Sequence, residues 1–261
     1  MSDDGSPDLL VERHGGVLVI RLNRPEARNA LTGAMLSSLG TALIEAERDV
    51  DVRAVVLAGT GDRAFCAGLD LREFAEEGGT SLDAGEGGQA FQRLMAGAIA
   101  VPIVGAANAT AVAGGFELLL GCDVVVASST AQFGLPEVQR GLFPGGNGTT
   151  LATRIPMAVA LELLLTGDRI DAARAYELGL VNHVVESADV EPTAIALAER
   201  IAANAPLSLQ AVKELGRLHV TDPAGVGERL RHWQTRVFSS ADAVEGATAF
   251  VEKRPPMWKG E

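Results

Sequence analysis

The feature that most constrains the fold of this chain is the alternation of short apolar runs with helical patterns up to about residue 150. Runs such as VRAVVLAG and CDVVVAS are apolar almost throughout, as expected of strands that are buried in a sheet. Amphipathic segments separate such runs, and Thr32 is a candidate N-cap for the helix that follows it. The alternation predicts an α/β fold with a mostly buried sheet.

Smaller signals place the other elements. LLVERHGGVLVIRLN reads as two strands joined by a turn at HGG, and a further strand begins near Pro102. GGTSLDAGEGG, residues 78–88, is polar and rich in glycine, which predicts a mobile loop. From about residue 150 onward the patterns predict helices almost exclusively.

Size and charge exclude several classes of protein. The 261 residues, 47% of them hydrophobic, suit one large domain or a domain with a small appendage. A net charge of −12 argues against general binding of nucleic acids or anionic membranes, but not against a local site for an anionic small molecule. The sequence shows no signal peptide and no apolar run of membrane-spanning length, so a cytoplasmic protein is expected.

Several familiar motifs are incomplete in this sequence. Gly59, Gly61 and Ala64 match G-x-G-x-x-A, but no helix of sufficient length follows, so we interpret them as a turn. The four histidines lack metal-ligand spacing, and no G-x-S-x-G motif is present. Cys66 and Cys122 form no C-x-x-C, which predicts no disulfide, no metal site and a reducing compartment.

Two glutamates stand in apolar or glycine-rich surroundings. In AVAGGFELLLG, two glycines precede a short apolar helix, so Gly114 can offer its free N–H to an anionic oxygen, with Glu117 one turn further on. In FGLPEV, Pro136 suits a first helical turn and Glu137 follows it. Both acids can equally serve only to complement helix N-termini, and the residues alone leave the two interpretations open.

The order of the motifs along the chain resembles one family. The relevant segments are NRPEARNAL (23–31), AFCAGLDL (64–71), AVAGGFELLLGCDVVVAS (111–128), AQFGLPEVQRGLFPGG (131–146), LTGDRIDAARAYELGLVNHVV (165–185) and EGATAFVEKRPPMW (245–258). Together they resemble the enoyl-CoA hydratase/isomerase, or crotonase, superfamily over nearly the whole chain. The resemblance implies a spiral of ββα units with the CoA and catalytic site in residues 1–200. It also implies a helical region, residues 201–261, that makes trimer contacts in a homotrimer or a hexamer.

The resemblance also implies roles for particular residues. Glu117 and Glu137 stand where enoyl-CoA hydratases carry their catalytic glutamates, and the N–H groups of Leu69 and Gly114 stand where these enzymes form an oxyanion hole. Residues expected to line the CoA part of the substrate are Arg24, Glu26, Ala27, Ala67, Gly68, Asp70 and Leu71. Phe250 and Lys253 match positions that reach CoA in some relatives, in some cases from a neighbouring subunit. No metal or redox cofactor is expected, and coenzyme A enters only as part of the substrate thioester.

The implied reaction is hydration of a 2-enoyl-CoA, with Glu117 as base and Glu137 as acid. An isomerase, dehydratase or hydrolase that uses the same oxyanion hole stays an alternative, as does a relative that only binds acyl-CoA. Two positions depart from the family pattern, since Ala113 and Asn147 stand where glycine is common. Residues 71–88 are expected to shape the acyl pocket, but they match nothing diagnostic of chain length.

Overall fold

The computed structural model describes residues 7–77 and 85–261. The strands are β1 (Leu9–His14), β2 (Val17–Leu22), β3 (Ala54–Gly59), β4 (Ile103–Ala107), β5 (Ala111–Val112), β6 (Val124–Ser128), β7 (Gln132–Gly134), β8 (Arg169–Asp171) and β9 (His183–Val185). The helices of the first two thirds of the chain are α1 (Gly33–Arg48), α2 (Leu71–Glu77), α3 (Glu86–Met95), α4 (Gly114–Gly121), α5 (Met157–Thr166) and α6 (Ala172–Glu177). Those that follow are α7 (Val190–Ala202), α8 (Pro206–Thr221), α9 (Val226–Phe238) and α10 (Ala241–Glu252). Short 3₁₀ helices cover Pro25–Ala27, Pro136–Arg140, Gly148–Thr153 and Ser187–Asp189.

The main sheet confirms the prediction of an α/β fold with a buried sheet. Its strand order is β1-β2-β3-β4-β6-β9, and all neighbours are parallel except the hairpin β1-β2. Every residue of β3 and β4 is buried, as expected for strands covered on both faces. The hairpin turns at Gly15, whose φ of +59° suits glycine.

Helices cover the two faces of the main sheet unequally. The larger apolar cluster joins α1, α3 and α4 to alternate residues of β2 and β3. The smaller cluster joins the other residues of these strands to α7. Thr32 caps α1 as predicted, because its Oγ1 accepts a hydrogen bond from the N–H of Met35 at 3.2 Å.

The predicted loop at residues 78–88 is partly wrong. Residues 78–84 lie outside the described part of the chain, but α3 begins at Glu86 and therefore includes Gly87 and Gly88. The reason is packing between helices: a Cβ added to Gly40 of α1 would collide with the backbone carbonyl of Gly87. These glycines allow α1 and α3 to approach closely, whereas glycine in sequence alone indicates a loop.

A second, three-stranded sheet positions the site described below. β5 pairs in parallel with β7, and β7 pairs antiparallel with β8. The register aligns Val112 with Gly134 and Gly134 with Arg169. The ends of β5 and β7 and the start of β8 therefore lie side by side at one edge of this sheet, although they are far apart in sequence.

The prediction of almost exclusive helix after residue 150 is correct for α5 to α10 but misses β8 and β9. Each of these strands has three residues, which is too short for an alternating pattern to be visible. β9 closes the edge of the main sheet beside β6. The motif G-x-G-x-x-A is a turn, as predicted, since no helix begins between β3 and Leu71.

The C-terminal helices are joined to the sheet region by a few polar contacts. Lys213 and Arg217 of α8 both bond the carboxylate of Asp123, at 2.6 and 2.9 Å. The indole N–H of Trp258 donates to the carbonyl of Ala203 at 2.8 Å. A division of the chain at residue 200 stays a prediction.

Among the described helices, none is both long and apolar enough to cross a membrane.

Candidate active site

A cavity of about 370 Å³ lies at the common edge of β5, β7 and β8, against α3 and α4. Its walls are mainly apolar, and both Glu117 and Glu137 line it together with Leu69 and Gly114. A second hollow, of about 530 Å³, lies at the β1-β2 turn, but it is open and contains none of these groups. The cavity beside α4 is therefore the place where the predicted acids and N–H donors meet.

The backbone N–H groups of Leu69 and Gly114 are close to each other. A Cβ added to Gly114 would lie 3.8 Å from the nitrogen of Leu69, and one added to Gly68 would lie 3.2 Å from the nitrogen of Gly114. Within residues 7–77 and 85–261, neither N–H has a hydrogen-bond acceptor. Two adjacent free donors in an apolar cavity suit an oxygen that carries negative charge.

Local hydrogen bonds explain why Leu69 presents its N–H to the cavity. Leu31 donates to the carbonyl of Gly68 at 2.8 Å and accepts from the N–H of Asp70 at 2.9 Å. These bonds occupy the groups on one side of the segment and leave the N–H of Leu69 on the other. Gly68 has φ of +91°, a conformation that glycine adopts without strain.

The buried side chain of Asn29 holds the segment that leads to Leu69. Its Nδ2 donates to the carbonyls of Thr60, Ala64 and Phe65 at 2.9 to 3.1 Å. Its Oδ1 accepts from the N–H of Arg24 at 2.9 Å. Asn29 thus cross-links the turn after β3 to the preceding 3₁₀ helix.

Ala113 has a strained backbone next to the two donors. Its φ of +51° and ψ of −132° fall in a region that residues with a Cβ rarely adopt. Its methyl group lines the cavity and faces Gly68. Ala113 donates to the carbonyl of Gly134 at 2.9 Å, which ties the start of α4 to β7 and supports the unusual conformation.

Glu117 is held by backbone donors. Only 5% of the residue is exposed, and its Oε1 accepts hydrogen bonds from the N–H groups of Gly146 at 2.9 Å and Gly148 at 2.7 Å. Burial raises the pKa of Glu117 above its ordinary value, while these two donors act in the opposite direction. Hydrogen bonds of this kind favour the ionised carboxylate.

Glu137 has different surroundings. It is 9% exposed, and its Oε2 is buried without a hydrogen-bond partner among the described residues. Burial is the largest cause that raises its pKa to about 7, the charge of Glu117 adds to the effect, and Arg140 opposes it. The two acids are thus distinguished by their partners, one suited to the ionised form and the other able to carry a proton at neutral pH.

The residues predicted to contact CoA lie in several places. Ala67 and Leu71 line the cavity with Leu69. The side chains of Arg24 and Asp70 form an ion pair at 3.1 Å. Gly68 forms the turn before Leu69, and Glu26 and Ala27 lie in the first 3₁₀ helix.

Phe250 and Lys253 are not brought to the cavity within this chain. Phe250 lies on α10 and is 85% exposed, and Lys253 forms the C-terminal cap of the same helix. Neither residue lines the cavity that contains the glutamates. Their contact with CoA, from the same or a neighbouring subunit, stays a prediction.

Sequence reasoning missed the residues that hold Glu117. Gly146 and Gly148 act through backbone N–H groups, so the only signal was the glycine-rich segment PGGNG. Asn147 lies between them, and its Nδ2 donates to the carbonyl of Met95 at 2.6 Å, which fixes the segment against α3. A glycine at this position cannot make that bond, so the departure from the family pattern has a structural role.

The remaining candidate groups for chemistry are clusters of possible metal ligands and the two thiols. In the described part of the chain, no three His, Cys, Asp or Glu side chains converge as a metal site would require. Cys66 and Cys122 are both free and buried, and burial raises the pKa of each thiol to about 12. Neither thiol is suited to act as a nucleophile at neutral pH.

Comparisons with known proteins agree on one family. The family model described as enoyl-CoA hydratase/isomerase matches residues 12–261. An enoyl-CoA hydratase of Mycobacterium tuberculosis is 38% identical, with 98% of each chain covered. A carnitinyl-CoA dehydratase of Proteus mirabilis is 37% identical over 98% of this chain and 99% of its own.

Solved structures agree with the sequences. A crystal structure of an enoyl-CoA hydratase from Mycobacterium tuberculosis matches with a TM-score of 0.90 and 40% identity, covering 98% of this chain and 100% of that one. One from Bacillus anthracis matches with a TM-score of 0.87 and 35% identity over the same shares. The crotonase-type fold expected from the motifs is confirmed.

Proposed function

This chain belongs to the enoyl-CoA hydratase/isomerase family, and from that premise we propose that it is an enoyl-CoA hydratase. It adds water reversibly across the 2,3 double bond of a 2-enoyl-CoA thioester. The observation that carries the proposal is that one apolar cavity contains two free N–H donors and two buried acids in different environments. A protein that only binds acyl-CoA has no need of both acids.

The oxyanion hole acts on the thioester oxygen. When water attacks Cβ, electrons move towards the thioester carbonyl and its oxygen gains negative charge. The N–H groups of Leu69 and Gly114 stabilise that charge, and donors already in place cost no reorganisation during the reaction. Loss of one such donor typically lowers the rate by roughly 10²–10³-fold.

The two glutamates move the protons. Glu117, the carboxylate that accepts two backbone hydrogen bonds, takes a proton from water. Glu137, whose pKa is raised to about 7, gives a proton to Cα. The thioester, the water and these groups account for every proton and charge in the step, so we propose that no metal or redox cofactor takes part.

Dehydration of a 3-hydroxyacyl-CoA is the reverse reaction with the same groups. Glu137 then acts as the base at Cα, and Glu117 protonates the leaving hydroxyl group. The similarity to proteins named carnitinyl-CoA dehydratase supports testing this direction as well. The proposed activity therefore concerns the hydration equilibrium as a whole.

The test is an assay of crotonyl-CoA and longer 2-enoyl-CoAs with the wild-type protein and two variants. Glu117→Gln and Glu137→Gln keep the shape of the side chains but remove acid–base function. We expect each to lower kcat by about 10²–10⁴-fold and to change the affinity for a saturated acyl-CoA by less than about threefold, a free-energy change within the size of one ordinary hydrogen bond.

The matched control is Glu199→Gln, on the exposed side of α7, which should behave as wild type. Near-wild-type turnover in either active-site variant, or no hydration of any enoyl-CoA by the wild-type protein, contradicts the proposed function.

We also propose a homotrimer or hexamer as the active form. Large apolar side chains on α9 and α10 are exposed in the single chain, among them Phe238, Phe250 and Val251. Exposed apolar groups at this density favour contact with another protein surface. Such a contact would also bring Phe250 and Lys253 towards the CoA of a neighbouring subunit.

A further inference from the structure

Two arginines line the cavity that contains the glutamates. Arg140 is the last residue of the 3₁₀ helix that carries Glu137, and Arg169 is the first residue of β8. The Nη1 of Arg140 donates to the carbonyl of Pro136 at 3.2 Å. Neither residue was singled out by its sequence pattern, and the proposed hydration step uses neither.

The guanidinium groups of both residues lack a carboxylate partner within the described residues. Acidic residues outnumber basic ones in this chain, 34 to 22, and nine other arginines form ion pairs with carboxylates among the described residues. Examples are the ion pairs Arg21–Glu191, Arg93–Glu47 and Arg254–Glu245. Two arginines without an ion-pair partner among the described residues at one cavity are candidates for binding an anionic group of a ligand.

The position of the arginines relates them to the acyl group. The register of the small sheet aligns Arg169 with Gly134, and Gly134 with Val112, which immediately precedes Ala113 and Gly114. Arg140 is close enough to Glu137 to lower the pKa of that carboxyl. Arg140 therefore lies on the helix that carries Glu137, and the backbone of Arg169 lies beside the strand that leads to it.

The other walls of the cavity are apolar. They include Leu36, Phe91, Met95, Leu142 and Phe143. An apolar acyl chain gains nothing from a guanidinium group, whereas a carboxylate forms short, charge-assisted and often bidentate bonds with arginine. Resting on the proposed function, we infer that this site accepts a 2-enoyl-CoA whose acyl chain ends in a carboxylate, which Arg140 and Arg169 bind.

The kinetic test compares two thioesters that differ only at the acyl end. Glutaconyl-CoA carries a carboxylate where pent-2-enoyl-CoA carries a methyl group. We expect kcat/KM for glutaconyl-CoA to exceed that for pent-2-enoyl-CoA by about tenfold or more, as a charge-assisted pair at a partly solvated site allows. The ratio should fall by about tenfold in Arg140→Gln and in Arg169→Gln, and by less in Arg140→Lys, which keeps the charge.

The ratio also separates the acyl carboxylate from the phosphates of CoA as the bound anion. Both thioesters carry the same CoA. If the arginines bind its phosphates, substituting them lowers kcat/KM for both thioesters and leaves the ratio unchanged. An unchanged ratio, or a wild-type ratio of one or less, overturns the inference while hydration of pent-2-enoyl-CoA upholds the proposed function. Arg200→Gln, an exposed residue on α7 at the opposite face of the main sheet, is the matched control and should leave the ratio unchanged.

A binding measurement tests the inference without catalysis. Isothermal titration calorimetry with the unreactive glutaryl-CoA and pentanoyl-CoA should show about tenfold tighter binding of glutaryl-CoA by the wild-type protein. Arg140→Gln and Arg169→Gln should remove that preference. Equal affinity for the two ligands overturns the inference even if enoyl-CoA is hydrated, and a preference in a protein without hydratase activity upholds it while the proposed function fails.

Discussion

Glu117 and Glu137 are the same residue type in the same cavity, yet their surroundings prepare them for different protonation states. Two backbone N–H groups bind Glu117, whereas one oxygen of Glu137 is buried without a partner among the described residues. The sequence predicts where both acids lie because each follows a helix-starting motif. It does not predict which one holds a proton, because that depends on donors in residues 146–148 and on burial by distant segments.

The raised pKa of Glu137 predicts the pH dependence of hydration. As the acid, Glu137 must be protonated, so kcat/KM should fall about tenfold per pH unit above about pH 7. Dehydration starts from the same pair of acids with one proton between them, and the overall reaction neither takes up nor releases a proton. Its kcat/KM should therefore fall in parallel above the same pH. Stopped-flow rates between pH 5 and pH 9, an interval chosen to span roughly two units on each side of that value, check both directions. A hydration kcat/KM of the wild-type protein that is constant across pH 7 contradicts the assignment. So does a residual activity of Glu137→Gln that still declines above pH 7.

The strained backbone of Ala113 predicts a stabilising substitution. Glycine adopts φ of +51° without a steric penalty, so Ala113→Gly should raise the free energy of unfolding by about 1 kcal/mol, after the greater entropy of glycine in the unfolded chain is subtracted. Thermal unfolding at equal protein concentration measures the change. Ala196→Gly, on the exposed face of α7 with ordinary helical backbone, should lower stability by about 0.5–1 kcal/mol. Destabilisation by both substitutions would mean that Ala113 is not strained.

At the scale of the element, α4 contributes to the site at its N-terminus and is held by arginines at its C-terminus. Its N-terminus supplies the N–H of Gly114, and its C-terminal carbonyls are bound by arginines from other elements. Arg154 donates to Leu120, and Arg217 donates to Gly121 and Cys122. The motif GGFELLL predicts this helix, but the arginines follow it by more than 30 residues, and nothing in their own segments indicates the contact.

Two substitutions at Gly114, the first residue of α4, test the oxyanion hole. One removes the N–H group and the other adds a methyl group but keeps the N–H. Gly114→Pro removes the donor at a helical position that otherwise tolerates proline, so kcat should fall by roughly 10²–10³-fold or more. Gly114→Ala keeps the donor, and its Cβ would meet neighbours only at 3.5 Å or more, so it should retain most of the activity.

Leu69→Ala likewise keeps its N–H and should mainly change acyl fit. Circular dichroism and thermal unfolding distinguish loss of the donor from loss of the fold. A folded Gly114→Pro protein with wild-type kcat would show that this N–H does not bind the thioester oxygen.

At the scale of the whole molecule, the sequence predicts the long elements and misses the short ones. The hairpin β1-β2, the buried strands β3, β4 and β6, the helices α1, α3 and α4 and the helices after residue 150 follow from period, capping residues and turn chemistry, whereas α2 was not predicted. The strands β8 and β9 and the register of the small sheet do not, because a strand of three residues carries no period. The candidate site follows the same division. Its two acids and the N–H donors of Leu69 and Gly114 were predicted, whereas the N–H donors that hold Glu117 and the arginines of the wall were not.

The exposed apolar side chains of the C-terminal helices predict assembly. Light scattering should give the mass of a trimer or a hexamer, and Phe250→Asp on α10 should weaken the assembly because it places a charge in an apolar contact. Val50→Asp, an exposed apolar residue in the turn before β3, is the control and should leave the mass unchanged. A stable monomer with full activity contradicts the prediction.

The small sheet β5-β7-β8 has a consequence for how this protein can diverge. Gly114 and Glu117 follow β5 and Glu137 follows β7, whereas Arg169 stands on the edge strand β8. Substitution of Arg169 changes the charge at the cavity wall without altering the segments that carry these groups, whereas Arg140 shares a 3₁₀ helix with Glu137 and affects its pKa. If the proposed carboxylate binding holds, selection can therefore exchange one acyl group for another through a single mutation at Arg169 while the catalytic groups are inherited unchanged.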